Sequence, residues 1–304
     1  MNRLFTIILA FIPLFLYGQF PSINEHYVLN PFLINPSYAG SKDALNVATY
    51  IHRQWTGVKG TPETLTLAAD APFLREEMGL GLILANDRIG VTNKTQISAN
   101  YAYKVYLNEG MLSFGLGAGV LTNQSAWSDL VTLDEEDAEY LTDSRLLIVP
   151  DFSFGVHYSY KEFFIDFSMP QLVNYKFDHD EMTYSFYNNL LKNNYSLMSG
   201  YTFKVNEDFQ LMPGTFILLN PEKLFLYDIN IYASFFKRFW TGISYRSDQS
   251  INGLFQFNVN ENFILAYTYD LNIGRLRKYS SGSHGFMLRF IFGGKLNVAS
   301  PLEF

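Results

Sequence analysis

The sequence predicts an all-β fold: a transmembrane antiparallel β-barrel of the outer-membrane type, with fourteen strands. Three observations carry this expectation. The chain opens with an export address, apolar residues alternate with a period of two along the rest of it, and short connections alternate with longer ones.

The address comes first. Met1-Asn2-Arg3 gives a positive start, Leu4 to Tyr17 is uncharged and mostly apolar, and Gly18 places a small residue before Gln19. This reads as a secretory signal over residues 1–18, cut after Gly18. Its apolar run of 14 residues falls short of the roughly 20 that a spanning helix needs. No later stretch supplies such a helix, so a membrane protein of this sequence must cross as a closed barrel.

Residues 19–44 read as a pre-barrel segment and 45–304 as the barrel. The segment carries two Asn-Pro pairs, Asn30-Pro31 and Asn35-Pro36, where proline blocks a regular strand or helix. It reads as a turn that seals the barrel mouth or as a periplasmic contact.

The strand candidates follow in order at 45–55, 62–71, 78–87, 94–107, 111–122, 150–160 and 163–170, then 194–205, 209–219, 225–235, 239–247, 251–259, 263–271 and 284–293. From Phe152 to Tyr160 every even position is apolar or aromatic and the odd ones are polar or small. Phe163, Ile165, Phe167 and Met169 share a face, as do Phe286, Leu288, Phe290 and Phe292. Tight links are expected at 108–110, 161–162, 206–208, 237–238 and 260–262, with 74–77 slightly longer. Every second link is expected to be longer, with extremes at 123–149, 171–193 and 272–283. An even strand count with short turns on one rim and long loops on the other is the outer-membrane pattern.

Alternation alone fits a soluble core equally well, and the second face decides. It carries Gly79, Gly81, Ser98, Asn100, Gly115, Gly117, Gly119, Ser153, Gly155, Ser168, Gly200 and Gly242. A water-facing sheet surface carries interspersed Lys, Glu and Arg instead. The composition agrees: of 304 residues 17% are charged, against roughly 25% in soluble domains, while 17% are aromatic. With 22 Lys+Arg against 29 Asp+Glu the net charge is -7, which argues against a nucleic-acid partner. The absence of Cys excludes disulfide scaffolds, Cys-ligated metals and thiol catalysis.

Several constellations stand out. A two-residue turn at Lys161-Glu162 sets His157 opposite Asp166, and a three-residue turn around Lys237 sets Asp228 opposite Arg246. With Arg289 these form a ladder of lumen ion pairs bracing the wall. The competing reading is a polar ligand path, or a hydrolytic dyad for which His157–Asp166 is the candidate. No positioned nucleophile accompanies either pair, so the bracing reading is preferred. The stretch from Asn123 to Ser144 holds Asp129, Asp134, Glu135, Glu136, Asp137, Glu139 and Asp143 with no Lys or Arg before Arg145. Such oxygen ligands could hold Ca²⁺, but the spacing matches no EF-hand, and a solvated acidic loop or a partner-docking loop accounts for it as well. No cofactor is expected. The aromatic loop residues Trp127, Tyr140, Tyr184 and Tyr187, with Asp134, Glu135 and Glu136, are candidate partner contacts; the aromatics serve equally as a girdle at the lipid interface.

Asn35-Pro36-Ser37-Tyr38-Ala39-Gly40 resembles the Asn-Pro-x-x-Ala-Gly signature of the PorP/SprF family of outer-membrane proteins. Arg53-Gln54-Trp55-Thr56-Gly57 with Pro62 resembles that family's next motif, Arg-x-Gln-Trp-x-Gly, with His52 in the usual place of its Arg and Arg53 one residue nearer the Trp. Ser281-Gly282-Ser283-His284 is similar to its approach to the last strand, with Gly285 in place of Glu. The motif residues Asn35, Pro36, Gly40, Arg53, Trp55, Gly57 and Pro62 are expected to be structural. The resemblance implies a fourteen-stranded, non-enzymatic outer-membrane barrel of the type IX secretion and gliding machinery. It implies a role in exporting, docking or anchoring an adhesin-like secreted partner with a C-terminal secretion domain, and contacts with periplasmic components. The alternative function is an outer-membrane channel for small or hydrophobic solutes.

Overall fold

The computed structural model describes residues 27–42, 44–73, 75–130, 142–178, 183–187, 189–221 and 224–293. The expected export signal at 1–18 therefore lies outside the described residues.

The wall begins with β1 (Leu45–Arg53), β2 (Glu63–Phe73), β3 (Arg75–Ile89), β4 (Thr92–Leu107), β5 (Gly110–Ser125), β6 (Leu147–Tyr160) and β7 (Phe163–Met169). A separate hairpin follows, β8 (Asn174–Asp178) paired with β9 (Thr183–Tyr187). The wall resumes with β10 (Tyr195–Tyr201), β11 (Phe203–Lys204), β12 (Phe209–Asn220), β13 (Leu224–Phe235), β14 (Phe239–Arg246), β15 (Ser250–Asn258), β16 (Phe263–Asn272) and β17 (Ser283–Phe292). β10 and β11 are two parts of one wall strand, interrupted at Thr202, whose N–H turns aside to the Glu162 carbonyl (2.9 Å). The wall thus has fourteen antiparallel strands, and β1 pairs with β17 from Leu45↔Phe292 to Arg53↔His284. Closure leaves no sheet edge, which is the condition for placing strands in hydrocarbon.

Tight turns join the strands on one rim. Asn108-Glu109, Lys161-Glu162 and Phe236-Lys237-Arg238 do so with left-handed backbone at Asn108, Lys161, Phe236 and Lys237. Such turns match the twist of the flanking strands. The other rim departs from the expected alternation of lengths. The links at 54–62, 126–146, 170–194 and 273–282 are long, but Ile89 and Thr92 are joined by Gly90-Val91 alone. The β12–β13 and β14–β15 links are three residues each. Gly90 at φ 58° permits the two-residue turn, and barrel closure does not require an outer loop to be long.

Side-chain parity divides the wall. Ile51, Leu65, Leu82, Ile97, Leu116, Phe152, Ile229, Ile243, Phe255 and Leu288 point outward and are exposed, so they meet acyl chains. The other parity is buried inward and is not uniformly polar, contrary to the expectation of small and hydrophilic lumen residues. Met198, Met212, Phe216, Leu226, Tyr232, Leu254, Ile264 and Met287 form an apolar cluster inside the barrel. A lumen can be this apolar only if it is filled, and the filling is the chain's own N-terminal segment. Tyr27, Val28, Leu29, Phe32, Tyr38 and Ala39 belong to the same cluster.

Candidate functional site

Residues 27–42 are a plug folded inside the barrel, not a turn across its mouth. Two 3₁₀ turns, Pro31–Leu33 and Pro36–Tyr38, each start at proline, whose missing N–H would have had no partner there. Asn35 organises the second turn. Its side-chain oxygen accepts from the Ser37 N–H (3.0 Å) and the Ser37 hydroxyl (2.7 Å). Its amide donates to the Val156 carbonyl (3.3 Å) and to Asp166 (3.4 Å). One buried side chain therefore caps the plug and ties it to β6 and β7.

The lumen glycines form the seat. Gly115 and Gly155 lie opposite each other on β5 and β6, beneath Asn35, Pro36 and Ser37. A Cβ on Gly115 would lie 2.0 Å from the Ser37 nitrogen, and one on Gly155 would lie 1.9 Å from the Asn35 side-chain oxygen. Cβ atoms on Gly79 and Gly81 would strike the Ala39 carbonyl (1.9 Å) and the Phe32 ring (2.3 Å). Gly40 leaves the plug with φ 63°; its N–H donates to Asp70 (3.1 Å) and its carbonyl accepts from the Lys104 ammonium (2.5 Å). Further wall groups hold the plug's backbone: Ser113 donates to the Ser37 carbonyl (2.7 Å) and Ser168 to the Ile34 carbonyl (2.8 Å).

The candidate lumen pairs meet within this assembly. His157 Nδ1 and Asp166 are 2.7 Å apart and buried, and the Tyr38 hydroxyl donates to the other Asp166 oxygen (2.8 Å). This carboxylate gathers groups from β6 and the plug, an anchoring arrangement. Arg246 lies 3.6 Å from Asp228, 3.8 Å from Asp270 and 3.9 Å from Asp248. Asp228 also accepts from Ser244 (2.9 Å) and Asn230 (3.2 Å). Arg289 differs from the expected ladder. Its guanidinium donates to the Leu29 carbonyl (2.5 Å) and the Tyr50 hydroxyl (3.4 Å), and no carboxylate among the described residues forms an ion pair with it. A plug carbonyl takes the place of the expected acid because the plug, which strand parity does not reveal, occupies that space.

Above the plug, on the long-loop side, is a cavity of about 280 Å³. Phe32 and Pro36 contribute to its floor, and Thr64, Asp87, Lys94 and Asp151 to its walls. Asp87 accepts from Thr64 (2.5 Å) and Asp151 from Gln96 (2.6 Å).

The outer rim gathers the remaining motif residues. Trp55 (φ 46°) and Gly57 (φ 101°) shape the β1–β2 loop, which Gln54 N–H closes onto the Pro62 carbonyl (2.9 Å). Thr56 N–H donates to the Gly282 carbonyl (2.8 Å), and Ser281 N–H returns to the Thr56 carbonyl (2.9 Å). The motif at 53–62 and that at 281–284 thus interlock over the seam where β1 meets β17. Trp127 opens the β5–β6 loop in a short 3₁₀ turn and is partly exposed. The ends of that loop are tied by Ser128 to Asp143 (2.6 Å) and by Ser125 N–H to the Ser144 hydroxyl (2.6 Å). The hydrogen bonds from Ser128 hold the Asp143 carboxyl below its ordinary range. Asp134, Glu135, Glu136 and Tyr140 lie outside the described residues, and of Tyr184 and Tyr187 only the backbone, in β9, is described. Among the described residues no cluster of three or more His, Asp or Glu could hold a metal.

Solved outer-membrane proteins share the fold at low identity. Omp33 of Acinetobacter baumannii is 8% identical over 83% of this chain and 100% of its own, with a TM-score of 0.50. The toluene transporter TbuX of Ralstonia pickettii is 8% identical over 86% of this chain and 92% of its own, with a TM-score of 0.52. The monoaromatic hydrocarbon channel CymD is 11% identical over 90% of this chain and 94% of its own, with a TM-score of 0.51. No curated protein matches the chain. The family model for the type IX secretion system membrane protein PorP/SprF matches residues 17–290, a span that includes the plug, both rim motifs and nearly all of the wall. This chain, an outer-membrane β-barrel, belongs to the PorP/SprF family of type IX secretion.

Proposed function

We propose that this protein is a non-enzymatic docking barrel that helps export, or holds at the cell surface, a secreted partner with a C-terminal secretion domain. The observation that carries the reading is the plug. A segment whose backbone rests directly on Gly79 and Gly115, with the Asn35 and Pro36 side chains on Gly155, is built into the wall, and it takes up the space a solute would need. What remains available is the outer rim, with its interlocked loops, and the short-turn rim, suited to contacts with periplasmic components of the machinery. Long loops on a rigid scaffold are common sites of recognition. Binding, with no bond made or broken, is the mechanism.

Affinity capture of the tagged protein from detergent-solubilised envelopes tests this. The expected result is co-purification of a protein bearing a C-terminal secretion domain, and loss of that protein from the surface when this gene is deleted. Normal export and cell attachment of every such protein in the deletion strain would remove the proposal.

The cavity above the plug favours one second reading, a channel for small or hydrophobic solutes, the activity named for TbuX and CymD. Their likeness to this chain is one of fold. Planar-bilayer recording separates the two: a silent barrel supports docking, and well-defined ohmic steps support transport.

A further inference from the structure

The chain carries a net charge of -7, yet one sector of its outer rim is basic. Arg53 ends β1 and Arg88 lies at the end of β3, both exposed on the lipid-facing parity. Lys59 is exposed in the β1–β2 loop, and Arg275, Arg277 and Lys278 are exposed in the 3₁₀ turn of the β16–β17 loop. None of these six cations forms an ion pair with a described residue. Glu63 is the acid of the same ladder, between Arg53 and Arg88 in register, and it reaches ion-pair distance of neither.

The sector is one surface. The β1–β2 loop is bonded to the β16–β17 loop through Thr56, Ser281 and Gly282, and to the β3–β4 turn through Gly90 N–H to the Gly60 carbonyl (2.9 Å). Arg53 and Arg88, one strand apart, are held about 10 Å from each other by sheet spacing. Trp55 stands beside them, partly exposed, the residue type that settles at headgroup level.

We propose that this sector binds the phosphate groups of the outer leaflet's phosphorylated glycolipid. Three observations select that occupant. The arginines of β1 and β3 point toward lipid, not toward the bulk water where a soluble acidic protein would dock. They stand at the end of the lipid-facing strands, where headgroup phosphates lie and where charge on that face is tolerated. Unpaired guanidinium groups match phosphate by charge-assisted, bidentate hydrogen bonds.

The test uses the full mature chain in detergent micelles with lipid A carrying both phosphates as the probe, read by native mass spectrometry. Dephosphorylated lipid A and inorganic phosphate are the comparison ligands. The expected result is retention of the diphosphorylated lipid, with at least ten-fold weaker binding of the dephosphorylated form and of the phosphate ion alone. R53Q/R88Q/R275Q/R277Q/K278Q should lose affinity ten-fold or more while keeping wild-type heat-resistant mobility on gels. Equal retention of dephosphorylated lipid, equal binding of free phosphate, or wild-type affinity in the folded variant would each overturn the proposal. The acidic run of the β5–β6 loop is the rival occupant. D134N/E135Q/E136Q should bind lipid A as the wild type does, and a ten-fold gain would mean that the loop covers the sector and would overturn it too.

Discussion

Replacing Gly115 with valine tests the seat of the plug. A Cβ there lies 2.0 Å from the Ser37 nitrogen and 2.2 Å from the Pro36 carbonyl carbon. Ordinary carbon contacts begin near 3.5 Å, so the plug must withdraw by about 1.5 Å. No rotamer relieves the overlap, because both partners are backbone atoms. Several hydrogen bonds cross from plug to wall near that point, among them Ser113 to the Ser37 carbonyl (2.7 Å), Tyr38 to Asp166 (2.8 Å) and Asn35 to the Val156 carbonyl (3.3 Å). A shift of that size breaks the two shorter bonds, and each buried group left unpaired costs about 1–3 kcal/mol. The expected loss is therefore about 2–5 kcal/mol, overpacking included. Urea titration of the barrel in lipid vesicles, read by heat-modifiable gel mobility, measures it. Planar-bilayer recording of the same variant should show current steps that the wild type lacks. A Gly115→Val barrel with wild-type stability and a wild-type silent recording would refute the reasoning.

Other substitutions probe the wall and its polar core. Leu288→Arg puts a charge on the lipid face and should cost about 2–4 kcal/mol near the midplane, by the same urea titration. Tolerance of that charge would contradict the assigned parity. Arg246→Ala strands Asp228 and Asp270 in the lumen and should cost about 3–5 kcal/mol, as breaking a buried ion pair from one side does. Arg246→Ala as stable as the wild type would show that the cluster is solvated. Asn35→Ala removes both the cap on Ser37 and the ties to Val156 and Asp166, and should cost about 1–3 kcal/mol. Pulse proteolysis should then cut within residues 27–42 faster than in the wild type.

The wall was legible because membrane strands obey one rule at every residue. Phe152 to Tyr160 and Phe286 to Phe292 each present acyl chains with one parity, and the pattern shows without any long-range information. Registers follow from turn length, which sets His157 against Asp166 and Asp228 against Arg246. The β8–β9 hairpin does not stand out in the sequence, although Tyr175, Phe177, Tyr184 and Phe186 alternate as the wall strands do. Each of its strands has only five residues, too few to separate from a loop by periodicity.

The plug was not legible, because it lacks a period. Its two turns are fixed by proline and by Asn35, and its burial is decided by distant residues. Gly115 and Gly155 read as close-packed lumen positions, and nothing in their sequence says that a chain segment lies on them. Phe216, Leu226, Tyr232 and Ile264 on the inward parity were the available signal, since greasy residues facing a lumen require something to cover them. The partner of Arg289 is hidden for the same reason: it is the backbone of Leu29, 260 residues away in sequence.

The account depends on residues 27–42 lying inside the closed wall, and the absence of cysteine makes this directly measurable. Ser37→Cys places a lone thiol at a position with 0% exposure, and Lys59→Cys places one on the exposed outer rim. The folded barrel, treated with a membrane-impermeant maleimide, should be labelled at position 59 and protected at position 37 until it is unfolded. Labelling of the Ser37→Cys thiol in the folded barrel as fast as that of Lys59→Cys would contradict the account.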